Sequence, residues 1–370
     1  MRVRYSVCML AFLDDFIRPV KHHLLTVAFF GGFVVDNLTL NRVDQLFDNM
    51  VLAGYVMLAM FGLIFLYAGS SGRMGERISE FAGRWAPLLV QFAFGGLMSG
   101  LLVFYSRSGS WWTSWPYLVL MLVVILGNEF IKKRASRLLF NLGVFFVALF
   151  SYVVLIVPVL MGRMGDEVFL LSGVAALAVF VLFLKALYKV VPNFMAMNTR
   201  MLLVVIATLY LSLNVLYFAN LIPPIPLSMK EMGVYHNVVK REEGGYVLSY
   251  EKGPWYALWH YSDNTFHYAQ GDRVYCYASV FAPARFKTAI RHRWEYYDAV
   301  QGAWREHYQT SFSIDGGRDA GYRGYSFIES VREGAWRCSV ETERGQVIGR
   351  TLFRVVVGTV PRVLVTRVDL

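Results

Sequence analysis

The residues that could do chemistry are few and scattered. Five histidines fall beyond residue 221: His236, His260, His267, His292 and His307. None pairs with another at ligand spacing on one strand face, and no GxSxG, HExxH, Walker A or CxxC motif occurs. Nucleophilic catalysis needs a serine or cysteine beside a base, and no local pattern supplies one. The reading therefore leans away from an enzyme and implies neither metal nor cofactor. His292 stands two residues before Trp294 in an alternating run. A buried imidazole there must be hydrogen-bonded, and it would either fix the fold or line a pocket. The run Gly316-Gly-Arg-Asp-Ala-Gly-Tyr-Arg-Gly-Tyr325 joins turn-forming glycines to Arg318, Asp319, Tyr322, Arg323 and Tyr325. Flat aromatic faces stack on sugars and guanidinium forks bind carboxylate or phosphate. These residues and His292 form the candidate binding set. A plain β-turn with an Arg–Asp pair is the alternative.

The elements that must position them belong to two unlike parts. The chain has 370 residues, 56% hydrophobic and 17% charged, with net charge +10. Its mean hydropathy is +0.44. A soluble domain has about a quarter of its residues charged, so a simple soluble enzyme, a disordered chain and a disulfide-dense secreted scaffold are all excluded. Residues 1–221 hold 17 Lys/Arg and 10 Asp/Glu, against 19 and 16 in the shorter remainder. Leu221-Ile222-Pro223-Pro224-Ile225-Pro226 marks the boundary, because consecutive prolines cannot continue a helix. Three parts follow: a transmembrane domain over 1–221, a Pro-rich linker over 222–233, and a soluble domain over 234–370.

Seven stretches approach the length of about 20 apolar residues that a bilayer requires: 24–40, 50–68, 87–105, 112–126, 138–160, 168–187 and 201–221. The loops alternate in charge. Arg2, Arg4, Arg18, Lys21, Arg73, Arg77, Arg84, Lys132, Lys133, Arg134, Arg137, Lys185, Lys189 and Arg200 lie on one side. Arg42, Arg107 and Arg163 lie on the other. The positive-inside rule then puts the N-terminus in the cytoplasm and, after an odd number of spans, the C-terminal domain outside it. The aromatics Tyr105, Trp111, Trp112, Trp115 and Tyr117 cluster at one interfacial level. The basic charge mostly faces anionic lipid, so the lipid bilayer rather than nucleic acid is the expected partner. Asp36 and Glu129 sit at span ends. That argues against proton coupling, which calls for carboxylates near the midplane. The loop 36–49, with Asp44 and Asp48, reads as solvated, with docking onto the soluble domain as the alternative. Gly96 and Gly100 form a GxxxG that suits helix packing.

Beyond residue 232 the pattern has period two. Strands are expected at 246–251, 256–261, 273–281, 288–297, 304–313, 322–329, 335–341 and 347–357, with an edge at 360–368. Many short strands without helices imply an all-β, immunoglobulin-like antiparallel sandwich. Alternation turns Ile290, His292, Trp294 and Tyr296 inward and leaves Arg291, Arg293 and Glu295 for water. It also turns Cys276 and Cys338 inward, with Trp294 between them in sequence. Outside the cytoplasm that pair could close a disulfide; two buried thiols acting as small apolar residues are the alternative. Cys8 is cytoplasmic on this topology.

One stretch resembles a known family. The order is Val274-Tyr-Cys-Tyr-Ala-Ser-Val-Phe281, Ile290-Arg-His-Arg-Trp-Glu-Tyr296, Gly321-Tyr-Arg-Gly-Tyr-Ser-Phe327, Gly334-Ala-Trp-Arg-Cys-Ser-Val340, Gly345-Gln-Val-Ile-Gly349 and Phe353-Arg-Val355. It is similar to the bacterial domain-of-unknown-function family 2914 over residues 270–357, and the multi-span first half looks like its membrane-anchored members. The resemblance implies fold and location and lends no activity. Cys338 stands where that family usually carries an aliphatic residue, so the disulfide is not implied by it. The resulting expectation is an inner-membrane protein whose β-sandwich binds an envelope glycan or protein partner. The alternative is a transporter or channel capped by that domain.

Overall fold

The computed structural model describes residues 34–36, 38–40, 44–71, 74–108, 111–127, 134–242, 244–252, 261–284, 286–317, 321–358 and 363–369. Among these, six long helices precede eleven strands. The helices are α1 (Leu46–Ser70), α2 (Glu76–Arg107), α3 (Trp111–Gly127), α4 (Arg134–Met161), α5 (Asp166–Val190) and α6 (Pro192–Phe218). Five stretches are long and apolar enough to cross a membrane: Leu46–Ser70, Glu76–Arg107, Leu138–Met161, Asp166–Val190 and Met195–Phe218. The span expected at 24–40 lies mostly outside the described residues. Helix α3 has 17 residues, about 25 Å at 1.5 Å per residue, short of the roughly 30 Å hydrocarbon core.

The chain divides into two compact units. The first takes the described parts of Met1–Phe104, Val119–Ile156 and Leu170–Asn214. The second takes Tyr105–Leu118, Val157–Phe169 and Val215–Leu370. In the first, α1 and α2 run antiparallel at close range because small residues recur along their seam. A Cβ on Gly69 would meet that of Ala82 at 2.5 Å, Gly62 faces Val90, Gly96 faces the Tyr55 ring, and Gly100 faces Leu52 and Leu40. The GxxxG is thus a packing face, as small residues allow. Asp36 and Asp48, expected in a solvated loop, are each 1% exposed.

The second unit carries the strands: β1 (Ser228–Tyr235), β2 (Asn237–Lys240), β3 (Tyr246–Glu251), β4 (Thr265–Tyr268), β5 (Val274–Phe281), β6 (Lys287–Asp298), β7 (Ala303–Asp315), β8 (Tyr322–Ile328), β9 (Gly334–Thr342), β10 (Val347–Val357) and β11 (Leu364–Asp369). They form three sheets, ordered β1-β5-β8, β4-β10-β9-β6-β7 and β11-β3-β2. Val234, Cys276 and Ile328 of the first sheet share one core with Trp294, Trp336, Cys338, Phe353 and Val355 of the second. Tyr235 and Tyr277, on the opposite face of the first sheet, share another with Val238, Leu248 and Tyr250 of the third. Strand β5 is therefore buried on both faces, where a two-layer sandwich would leave one to water. Strands β4 and β10 run parallel, departing from the antiparallel pairing expected throughout.

The expected linker is not free chain. Residues 222–227 are buried, and 228–233 make most of β1. Its Ser-Met-Lys-Glu-Met-Gly sequence lacks β-branched residues, and a register shift between Met229 and Glu231 breaks the alternation that would have announced a strand. The strand expected at 256–261 lies almost wholly outside the described residues.

Candidate functional site

Strands β5, β6, β8 and β9 bring the aromatic core, the histidine and the cysteines together. Ile290, His292 and Trp294 point inward from β6, as alternation requires, and are at most 1% exposed. Cys276 of β5 and Cys338 of β9 form a disulfide joining the two facing sheets. Trp294 pairs in register with Cys338, and its indole N–H donates to Ser326 Oγ at 2.9 Å. The same oxygen lies 2.9 Å from His292 Nδ1. His292 Nε2 is buried and has no hydrogen-bond partner among the described residues. Burial pushes this imidazole down to about 3 from its ordinary 6.5, so it is neutral at physiological pH. Its ligand nitrogen and the two sulfurs lie within 4.8 Å of one another. Both sulfurs are bonded to each other, so the group presents no thiolate to a metal.

The remaining predicted binding residues separate. Arg318 and Asp319 lie outside the described residues. Tyr322 packs inward against the cluster of Val280, Ile290 and Val340. Arg323 pairs with Asp369 of β11 at 3.0 Å, and Tyr277 Oη also donates to that carboxylate. Tyr325 faces outward at 39% exposure, beside Phe327 at 40%. Tyr275 lies 5.9 Å from Tyr325 and 5.5 Å from Phe327, and Tyr246 lies 6.0 Å from Tyr325. The guanidinium of Arg273 sits 4.8 Å from the Phe327 ring. Among the described residues β8 ends its sheet, so Tyr325 and Phe327 are the outer rings of a partly buried aromatic cluster with Tyr275 and Tyr246, and Arg273, ion-paired to Glu329 at 2.7 Å, stands at one end. That arrangement can stack on flat or apolar ligand faces.

A second constellation escaped the sequence reading. Glu251, ending β3, accepts from His236 Nε2 at 2.8 Å and from His267 Nδ1 at 2.7 Å. The His267 amide also donates to it, at 3.0 Å. Asp263 accepts from the Glu251 amide at 2.7 Å, and its other oxygen lies 3.6 Å from His236 Nε2. A carboxylate only accepts, so both rings carry their proton on the nitrogen facing Glu251. Burial acts to raise the Glu251 carboxyl, but the bonds from His267 and His236 outweigh it and hold it below its ordinary value. The four side chains come from the β1–β2 corner, β3, the segment before β4, and β4. Their spacing in sequence carries no periodic signal. The available hint was His267 within the short aromatic run Thr265-Phe-His-Tyr268, bounded by polar and glycine residues.

Glu295, expected in water, is 6% exposed. Arg337 of β9 donates to both its oxygens, at 2.6 and 2.9 Å. That bidentate pair offsets the burial of the charge.

Residues 287–355, from β6 to near the end of β10, match a family described as "Protein of unknown function (DUF2914)". No curated protein matches the chain. Among solved structures, the Pseudomonas fluorescens alkylpurine DNA glycosylase AlkC, bound to DNA containing an abasic site analog, is 13% identical. The match covers 85% of this chain and 100% of that one, with a TM-score of 0.24. A likeness that loose carries no argument about fold or activity.

Proposed function

We propose that this chain is a seven-span bacterial inner-membrane protein, N-terminus in the cytoplasm, displaying an immunoglobulin-like sandwich that binds an envelope glycan or protein partner. The aromatic shelf of Tyr275, Tyr325 and Phe327, flanked by Arg273, carries the reading. Partly exposed aromatic rings on the strand that ends a sheet are what sugar rings and apolar side chains stack upon. A Cys–Cys pin between facing sheets with a tryptophan against it supports the immunoglobulin-like comparison. Two helix connections and the end of α6 fall in the sheet-bearing unit: Tyr105–Leu118, Val157–Phe169 and the residues from Val215. These are the segments that the charge alternation assigns to the outer side, which supports the topology.

Titrating the purified full-length protein with soluble peptidoglycan fragments tests the binding. Tyr325→Ala should weaken it about tenfold, the worth of one stacking contact near 1.4 kcal/mol. Equal binding by the variant, or none by the wild type, would sink the glycan reading. The alternative of a transporter or channel draws its support from the buried Asp36 in the helical unit.

A further inference from the structure

The disulfide spends two sulfurs that would otherwise face a histidine. Cys276 of β5 and Cys338 of β9 join across the gap between facing sheets. One ring nitrogen of His292 and the two sulfurs all lie within 4.8 Å of one another. All three residues are 0% exposed. Strand register sets this convergence. Cys276 pairs with Ser326 of β8. In the facing sheet Trp294 pairs with Cys338 and His292 with Val340, so His292 and Cys338 are diagonal neighbours on one inward face. The Trp294 indole nitrogen and His292 Nδ1 each lie 2.9 Å from Ser326 Oγ. Ser326 thus holds the imidazole by one nitrogen, while Nε2 is buried and unmet among the described residues. An unmet polar atom costs free energy in an apolar core. An imidazole held through one nitrogen with the other open is also how metal-binding histidines are oriented.

Charge decides which cation would suit the group. Two thiolates and a neutral imidazole carry two negative charges. A divalent ion leaves the core neutral, whereas copper(I) would leave a buried negative charge. Thiolate and imidazole ligands suit zinc, and hard ions such as calcium and magnesium prefer oxygen. Zinc–sulfur bonds of about 2.3 Å at tetrahedral angles separate two sulfurs by about 3.8 Å. The cysteine Cα atoms stand 6.6 Å apart, which leaves room for that separation once the bond is broken. Zinc sites with two cysteines and one histidine keep their fourth position for an oxygen ligand, and Ser326 Oγ stands beside the His292 ring.

We propose that Cys276, Cys338 and His292 form a zinc site when the cysteine pair is reduced, so that disulfide and metal are alternative closures of one core. Opening the disulfide takes two electrons and two protons from a dithiol, which leaves as a disulfide. Zinc then displaces both thiol protons to water and binds the two thiolates. Loss of zinc and transfer of two electrons to a disulfide oxidant restore the bond. Because the ligands are wholly buried, the choice falls while the chain folds, before the sheets close over the sulfurs. The site is independent of the aromatic rings of β8 and of any partner they hold.

Full-length protein carrying Cys8→Ser, which leaves Cys276 and Cys338 as its cysteines, tests it when produced without disulfide-forming catalysts and purified without oxygen. Cobalt(II) serves as a coloured stand-in for zinc. One ion per chain is expected, with thiolate-to-cobalt absorption and the strong visible bands of four-coordination, both erased by added zinc. The oxidised protein and Cys276→Ala should show neither. His292→Phe should weaken zinc, in competition with a chromophoric chelator, by more than the roughly tenfold that losing a mere supporting residue costs. X-ray absorption of the zinc-loaded protein should give two sulfur neighbours and one imidazole. No uptake by the reduced protein, equal uptake by the oxidised protein, or a zinc shell without imidazole overturns the site. Retention of copper(I) with zinc excluded overturns the metal assigned. If His292→Phe does not fold, the absorption shell alone decides the histidine's part.

Discussion

The disulfide and His292 occupy the same few ångströms of core and act on stability by different routes. Cys276 and Cys338 are 62 residues apart, and closing a loop of that length restricts the unfolded chain by about 4 kcal/mol on the chain-entropy account. Replacing both with alanine should lower stability by about that amount in denaturant titrations followed by Trp294 and Trp336 fluorescence. His292 acts through protons. Its folded value, about 3, lies below the ordinary 6.5, so the unfolded chain binds the extra proton. Stability from this group is intact above pH 6.5 and falls by about 1.4 kcal/mol per pH unit below it, down to pH 3. His292→Phe should flatten the acid limb of the stability profile by that slope; an unchanged slope would show that the ring titrates freely. Glu251 has the usual carboxylate sign. Because its folded value is lowered, its contribution is present above the ordinary 4.5 and is lost as pH falls through the lowered value. Glu251→Gln should remove that low-pH component.

The turn between β9 and β10 is where sheet and helix ends meet within the second unit. Arg344 reaches from it to Asn220 Oδ1 at 3.1 Å and to the carboxylate of Asp166, at the start of α5. Its guanidinium lies 4.3 Å from the Tyr217 ring and 4.9 Å from Phe218, at the end of α6. Gln346 Nε2 donates to the Ile222 carbonyl at 3.3 Å, beside it. A cation at a helix C-terminus also meets the negative end of the dipole. Arg344→Ala should therefore speed hydrogen exchange across residues 215–222 about tenfold, the effect of losing one or two charged hydrogen bonds. Unchanged exchange would mean the proline segment holds this junction alone.

For the molecule as a whole, direction across the membrane is the sharpest expectation. A reporter active only outside the cytoplasm should work when fused after Leu370. Silence there, with activity after Leu138, would invert the orientation.

Local pattern carried some of this a long way. The five long apolar helices, within Leu46–Ser70, Glu76–Arg107, Leu138–Met161, Asp166–Val190 and Met195–Phe218, follow from length and hydropathy. Strands β3 and β5 to β10 follow from period-two alternation, which also turned Trp294 and the two cysteines inward. These features depend on neighbours in sequence, and periodicity records those directly. Other features depend on what lies across from a residue. Glu295 is buried because Arg337 faces it from β9. His236, Glu251 and His267 meet because β3 and β4 fold beside a strand corner. Asp36 reads as a span-end residue until Tyr55 and Ser99 enclose it. A side chain's burial and charge state are set by partners tens of residues away, and no spacing along the chain encodes which partners those are until the elements pack.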